Sequence, residues 1–127
     1  MLTEPDPAAA ITNLNSLMTQ SGPADRFVTL TAAVLDYSSH AVTLVNAGNP
    51  SPLIYHRATC TVEEAISHEA GGLPLGVLDD FQYGSCQVSL EPGDCILAFT
   101  DGVTEAMDVN HVQLQTKRVH AVPVPRW

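Results

Sequence analysis

Read from its amino terminus, the chain first repeats apolar residues at helical spacing. Ala10, Ile11, Leu14, Leu17 and Met18 share one face, with Asn13, Asn15 and Ser16 largely away from it. Asp6 before Pro7 supplies a cap and a first-turn proline, and Gly22-Pro23 stops the run. This predicts an amphipathic helix docked on an apolar surface. Over residues 27–36 the period changes to two. Val28, Leu30, Ala32 and Val34 form one face; Phe27, Thr29, Thr31, Ala33 and Leu35 form the other, as in a central strand packed on both sides. Tyr37-Ser38-Ser39-His40 reads as a turn into a second strand over residues 41–46, which makes a hairpin. Ala47-Gly48-Asn49-Pro50-Ser51-Pro52 is a loop by composition, and residues 53–56 form another short strand.

Residues 60–70 carry Glu63, Glu64 and Glu69 with little periodicity, an irregular connection with at most one edge strand. Gly71-Gly72-Leu73-Pro74-Leu75-Gly76-Val77 interleaves glycine with apolar residues and reads as a covered turn. It lacks the spacing and lysine of a phosphate-binding loop. Residues 86–90 and 95–100 predict a second hairpin across Pro92-Gly93. One helix followed by several antiparallel strands, whose apolar faces demand a partner layer, is the α+β class.

The last apolar strand stops at Asp101-Gly102. A carboxylate at a rigid strand end is well placed to ligate a hard cation, and Gly102 lets the backbone turn and leaves space beside it. The same pattern also fits an aspartate capping a helical turn over residues 103–107. Both alternatives stand on the pattern alone.

Composition narrows the function classes. The 127 residues fit one domain with a sizeable core, and 45% hydrophobic against 15% charged residues belongs to a folded chain. Fourteen acids against five basic residues give a net charge of −9, which argues against a general nucleic-acid binder. Residues 1–110 hold every acid and only Arg26 and Arg57; the tail beyond holds Lys117, Arg118 and Arg126. Cys60, Cys86 and Cys95 form no zinc spacing and predict a reducing, cytoplasmic setting. No signal peptide or membrane-spanning run is expected. His40, His56, His68, His111 and His120 include no ligand pair at helical spacing and are read as surface or loop residues.

Several segments in order carry a resemblance. They are Phe27-Val28-Thr29-Leu30, Val34-Leu35-Asp36, Val45-Asn46-Ala47-Gly48-Asn49-Pro50-Ser51-Pro52-Leu53, Gly71-Gly72-Leu73-Pro74-Leu75-Gly76, Leu90-Glu91-Pro92-Gly93-Asp94 and Thr100-Asp101-Gly102-Val103-Thr104-Glu105-Ala106. Together, from about Pro7 to Met107, they resemble the metal-dependent protein phosphatases (PPM, type 2C-like), in the SpoIIE-like bacterial branch. The resemblance implies a partial αββα sandwich over residues 1–108 and a divergent basic tail over 109–127. It implies protein serine/threonine phosphatase activity with two Mn²⁺ or Mg²⁺ ions, which neutralise the phosphoryl oxygens and lower the pKa of an attacking water. Such ions also permit clustered acids, since two carboxylates about 4 Å apart repel by ~1–4 kcal/mol. By position Asp101 is the metal-ligating aspartate and Gly102 its structural companion. Glu105 is read as a solvated first-turn acid, and Asp79, Asp80 and Asp94 as turn residues. The implied partner is a phosphoprotein, in relatives commonly an anti-sigma-factor antagonist, with neither nucleic acid nor membrane.

The chain departs from that pattern in its ligand set. The family's upstream Gly-Asp-x-x-Gly-His-Gly and its late Asp-Asp are absent, and Asn49 stands where the family usually has His. One aspartate does not hold two hydrated ions, so little independent catalysis is expected. The alternative is a non-catalytic phosphatase-like module that binds a regulatory partner. Haloacid-dehalogenase chemistry, which also uses a strand ending in Asp-Gly-Val, needs a nucleophilic aspartate where Phe99 stands.

Overall fold

The computed structural model describes residues 6–22, 26–67 and 71–104. Glu105 and the tail over 109–127 lie outside the described residues. Helix α1 (Pro7–Ser21) starts as its sequence predicts: the Asp6 carboxylate accepts the Ala8 N–H at 3.1 Å, with Pro7 in the first turn. Its buried stripe, however, is rotated from the expected one. Ala8, Ile11 and Asn15 are buried and Met18 packs beside them, whereas Leu14 and Leu17 are exposed. Asn15 causes the rotation. Its Oδ1 accepts the Gly76 N–H and its Nδ2 donates to the Leu78 carbonyl, both at 2.8 Å, so a polar residue sits fully buried at the helix–loop seam.

Strands β1 (Leu30–Asp36) and β2 (Ala41–Ala47) form the predicted antiparallel hairpin, in register from Leu30 opposite Ala47 to Asp36 opposite Ala41. β5 (Cys86–Ser89) pairs along the other side of β2. The second sheet places β3 (Leu53–His56) between β4 (Thr61–Glu64) and β6 (Cys95–Leu97), again antiparallel throughout. Two expectations change here. β1 is an edge strand among the described residues, with Val34 and Leu35 exposed, and β2 is the central one. The second hairpin does not form either. The turn itself exists, with the Asp94 N–H donating to the Glu91 carbonyl at 2.9 Å and Gly93 at φ +92°. It carries the chain from one sheet to the other. Val88 and Ile96 thereby both reach the core between the sheets instead of lying side by side in one.

The layers are helix, sheet, sheet. Along β2 the side-chain period of two sends Val45 and Ala47 toward α1, where Ala8, Ile11, Leu75 and Tyr83 complete one cluster. Val42 and Leu44 point the other way, onto Ile54, Ala65 and Ile66. The loop over residues 71–83 closes over the first cluster. Val28 and Leu75 exchange backbone hydrogen bonds, and the Tyr83 hydroxyl donates to the Leu73 carbonyl at 2.7 Å. α2 (Asp101–Thr104) follows β6, and no second helical layer covers the outer sheet among the described residues. All three cysteines are unpaired thiols; Cys95 is half-buried in β6.

Asn15→Leu tests the rotated helix. Two backbone groups would lose their partner inside the seam, so urea unfolding should show a loss of about 2 kcal/mol. An unchanged midpoint would show that the amide does not hold α1 in place.

Candidate functional site

The sheet register sorts the loops to two ends of the sandwich. Leu53 lies opposite both Leu97 and Glu64, so the loop entering β3, the end of β4 and the chain leaving β6 share one end. The short loop over 48–52 joins the end of β2 to the start of β3 and brings the end of β2, with Leu30 opposite Ala47, there as well. The turns over 37–40, 57–60 and 91–94 occupy the opposite end.

Asp101 belongs to the first end. β6 stops at Leu97, three residues earlier than the sequence suggests, and buried Phe99 packs with Leu53 to anchor the segment. Asp101 then opens α2 with an exposed side chain, while the Val103 N–H donates to the Thr100 carbonyl at 3.0 Å. Asp101 is therefore a first-turn residue of α2, which begins two residues earlier than the expected turn over 103–107. A Cβ on Gly102 would stand 3.4 Å from Thr100 Oγ1, an ordinary contact.

Beside this segment, the loop over 46–52 is held by an asparagine network the sequence reading missed. Asn46 Nδ2 donates to the Asn49 carbonyl at 2.7 Å, and Asn46 Oδ1 accepts the Asn49 N–H at 3.2 Å. Asn49 Nδ2 reaches Thr31 Oγ1 at 2.9 Å, and Thr31 Oγ1 lies 3.3 Å from Asn46 Oδ1. Gly48 brings this loop against its neighbour: φ is +85°, and a Cβ would lie 2.6 Å from the Pro74 ring. Asparagines three apart, separated by Ala-Gly and followed by proline, were the available signal for this self-bonded turn. A cavity of about 250 Å³ opens beside it, lined by Asn46, Asn49, Ser51, Glu64 and Ser67 among others.

The other titratable cluster lies at the opposite end. His56, read from sequence as a surface or loop residue, ends β3 half-buried, with Nε2 2.7 Å from Glu63 Oε1 and Nδ1 3.3 Å from Asp94 Oδ2. Asp94 does more than turn the chain, since its carboxylate also accepts the Arg57 and Glu91 N–H groups at 3.1 and 3.0 Å. The Glu63 hydrogen bond, helped by Asp94 against partial desolvation, raises the His56 pKa above 6.5. The Glu91 N–H, with smaller help from Arg57 and His56, lowers that of Asp94 below 3.8. Asp79, by contrast, accepts from Thr19 Oγ1 at 2.9 Å, and Asp80 adopts φ +61°, as turn residues do.

Comparison with known proteins decides the family. A model of the family described as Stage II sporulation protein E (SpoIIE) matches residues 1–123. The chain belongs to the SpoIIE family. Among curated proteins it is similar to the phosphoserine phosphatase RsbU of Bacillus subtilis, 34% identical over 104 residues, covering 82% of this chain and 30% of RsbU. It is also similar to protein IcfG of Synechocystis, 28% identical over 101 residues, covering 78% of this chain and 15% of IcfG. This SpoIIE-family chain thus spans less than a third of the length of the curated relatives it matches. The RsbU and RsbW domains of Rv1364c from Mycobacterium tuberculosis superpose with a TM-score of 0.65 at 25% identity, over 80% of this chain and 27% of that one. The type 2C phosphatase domain of SpoIIE from Bacillus subtilis, solved with a fragment of its regulatory domain, gives 0.64 at 22% identity, over 87% and 31%. The α+β sandwich is therefore that of the type 2C-like phosphatases, a family that is generally metal-dependent.

Asp101 meets no ready-made ligand set here. Among the described residues no group of three or more His, Cys, Asp or Glu side chains is placed to hold a metal ion, and none of the helices is long and apolar enough to cross a membrane.

The His56 cluster sets a pH dependence of stability. A raised histidine pKa stabilises the fold fully below pH 6.5 and is lost as pH rises through the raised value. The lowered Asp94 pKa stabilises above pH 3.8 and is lost as pH falls through the lowered value. The stability gap between the native chain and His56→Gln should therefore be widest between about pH 4 and 6.5 and narrow toward pH 8. Thermal melts across that range check it, and a gap that does not vary with pH would contradict it.

Proposed function

We propose that this chain is the central part of a SpoIIE-type protein serine/threonine phosphatase domain, acting on a phosphoserine or phosphothreonine ester of a protein. The observation that carries this is the exposed Asp101, delivered by β6 to the sandwich end beside the loop over 46–52, in a chain of this family. The phosphoserine specificity in the name of the RsbU relative supports the substrate class. A small signalling protein, such as an anti-sigma-factor antagonist, is the partner this reading favours.

Asp101 is assigned as one carboxylate of the metal site, with Gly102 beside it. The Mn²⁺ or Mg²⁺ pair expected of the family does not fit the described residues alone, because one carboxylate leaves most coordination positions and the ionic charge unmatched. Complete ligation draws on carboxylates beyond these residues. What the described chain contributes is placement. Phe99 packed on Leu53 fixes where β6 ends, and α2 starts there with the acid in its first turn. Residues 1–108 are assigned to the phosphatase domain and 109–127 to a divergent basic tail, most of which the family model also spans.

With Mn²⁺ and p-nitrophenyl phosphate, the chain alone should show no turnover; turnover removed by Asp101→Asn would overturn the incompleteness. Grafting residues 7–107 into the matching stretch of the RsbU phosphatase domain should give Mn²⁺-dependent phosphoserine hydrolysis. Asp101→Asn should then reduce it by about 100-fold or more, since even groups that only support a ligand cost 10–100-fold. A folded but inactive chimera would favour the partner-binding module instead.

A further inference from the structure

We propose that two copies of this chain pair through the free edge of β1, antiparallel about Ala33, into a symmetric dimer with one continuous sheet. The inference goes beyond the phosphatase reading and does not rest on it.

The hydrogen-bond directions in β2 show which backbone groups of β1 are spare. The Leu90 N–H donates to the His40 carbonyl at 2.8 Å, continuing the pairing of Val42 with Val88 and Leu44 with Cys86. Near the other end of β2 the Asn46 carbonyl accepts the Gly72 N–H at 3.0 Å, again away from β1. Even-numbered residues of β2 therefore turn their N–H and C=O from β1, and odd-numbered ones turn them toward it. The partners of the odd ones are Leu30, Ala32, Val34 and Asp36. Thr31, Ala33 and Leu35 direct N–H and C=O outward, with no strand beside them among the described residues.

An open row of this kind is a template for another strand, and proteins blunt it by short length, charge or proline. The other edges obey. β4 has four residues, two of them Glu63 and Glu64, and β5 and β6 have four and three. β1 has seven, with no proline and no charge before Asp36. Val34 is 47% exposed and Leu35 62%. Leu14 and Leu17 are exposed on the flank of α1 opposite Thr12 and Thr19, which bond to the loop that leads into β5. That flank therefore lies on the β1 side.

What fits this edge is the edge itself. An antiparallel copy centred on Ala33 sets Val34 opposite Ala32 of the second copy and Leu35 opposite its Thr31, so each large side chain meets a smaller one. Asp36, the one charge of the strand, meets Leu30 of the second copy and not another acid. In a chain of net charge −9, an uncharged edge is where two copies repel least. With the edge backbone, the exposed parts of Leu14, Leu17, Val34, Leu35 and Tyr37 offer on the order of 600 Å² per copy, the lower end of what specific complexes bury. A dimer of micromolar affinity is expected.

The test is sedimentation equilibrium of the full chain across the micromolar range. It should show a monomer–dimer equilibrium that tightens with added NaCl, since salt screens the mutual repulsion. Leu35→Lys, an exposed change that spares the fold, should weaken the dimer at least about tenfold. Ala33→Pro, which removes an N–H that points outward and serves no bond to β2, should do the same. Disulfide trapping in a Cys60→Ser background reads the register. Ala32→Cys chains mixed with Val34→Cys chains should cross-link on mild oxidation, because the two positions would face each other with Cα atoms about 4.5 Å apart. Either chain alone should cross-link far less. A monomer at every concentration, as the tail over 109–127 laid on this edge would give, overturns the proposal. So does a dimer that survives both substitutions, or Val34→Cys chains that cross-link alone as readily as in the mixture.

Discussion

The structure depends on β2 being buried on both faces. Ala47 is fully enclosed on the helix side, and Leu44 is nearly so on the side of the second sheet. Seven residues thus serve two separate cores, which they join through one backbone. Among the described residues β1 matches its length, but the last four residues of β1 are exposed. A charge introduced at Leu44 or Val45 would therefore damage a whole layer, through the cost of burying it unpaired.

That double burial also explains the loop that follows. A strand closed on both faces has to leave its sheet where the backbone can turn without spare side-chain volume. Ala47-Gly48 provides this, with Gly48 at positive φ against the Pro74 ring. Asn46 and Asn49 then satisfy the turn's polar groups internally, where a buried turn has no water to do so. Asn49 Oδ1 is the one buried side-chain polar atom among the described residues left without a hydrogen-bond partner.

Local signals were legible in the sequence. The Asp6-Pro7 start of α1, the first hairpin, the loop after Ala47 and the Glu91–Asp94 turn all follow from residue chemistry within a few positions. Relations between elements were less so. Apolarity on both faces suggested a central strand for residues 27–36, but neighbouring strands decide centrality, and β2 has two of them. Leu14 and Leu17 looked like core residues because period alone cannot see that Asn15 has two backbone partners more than sixty residues away. Asp101 stood out as an acid ending an apolar run. The cavity by the loop after β2 did not, because its groups come from that loop, the end of β4 and the residues that follow.

The sheet change at Gly93 has a consequence for how the molecule assembles. β5 and β6 are close in sequence, yet neither can lower the other's free energy by pairing locally. Each adds to a strand about forty residues upstream, β5 to β2 and β6 to β3. The amino-terminal hairpin and its helix can therefore gather as the chain emerges from the ribosome, while the strand that leads to Asp101 waits for a finished template. Among the described strands, the one leading to the acid end of the sandwich is the last to find its partner.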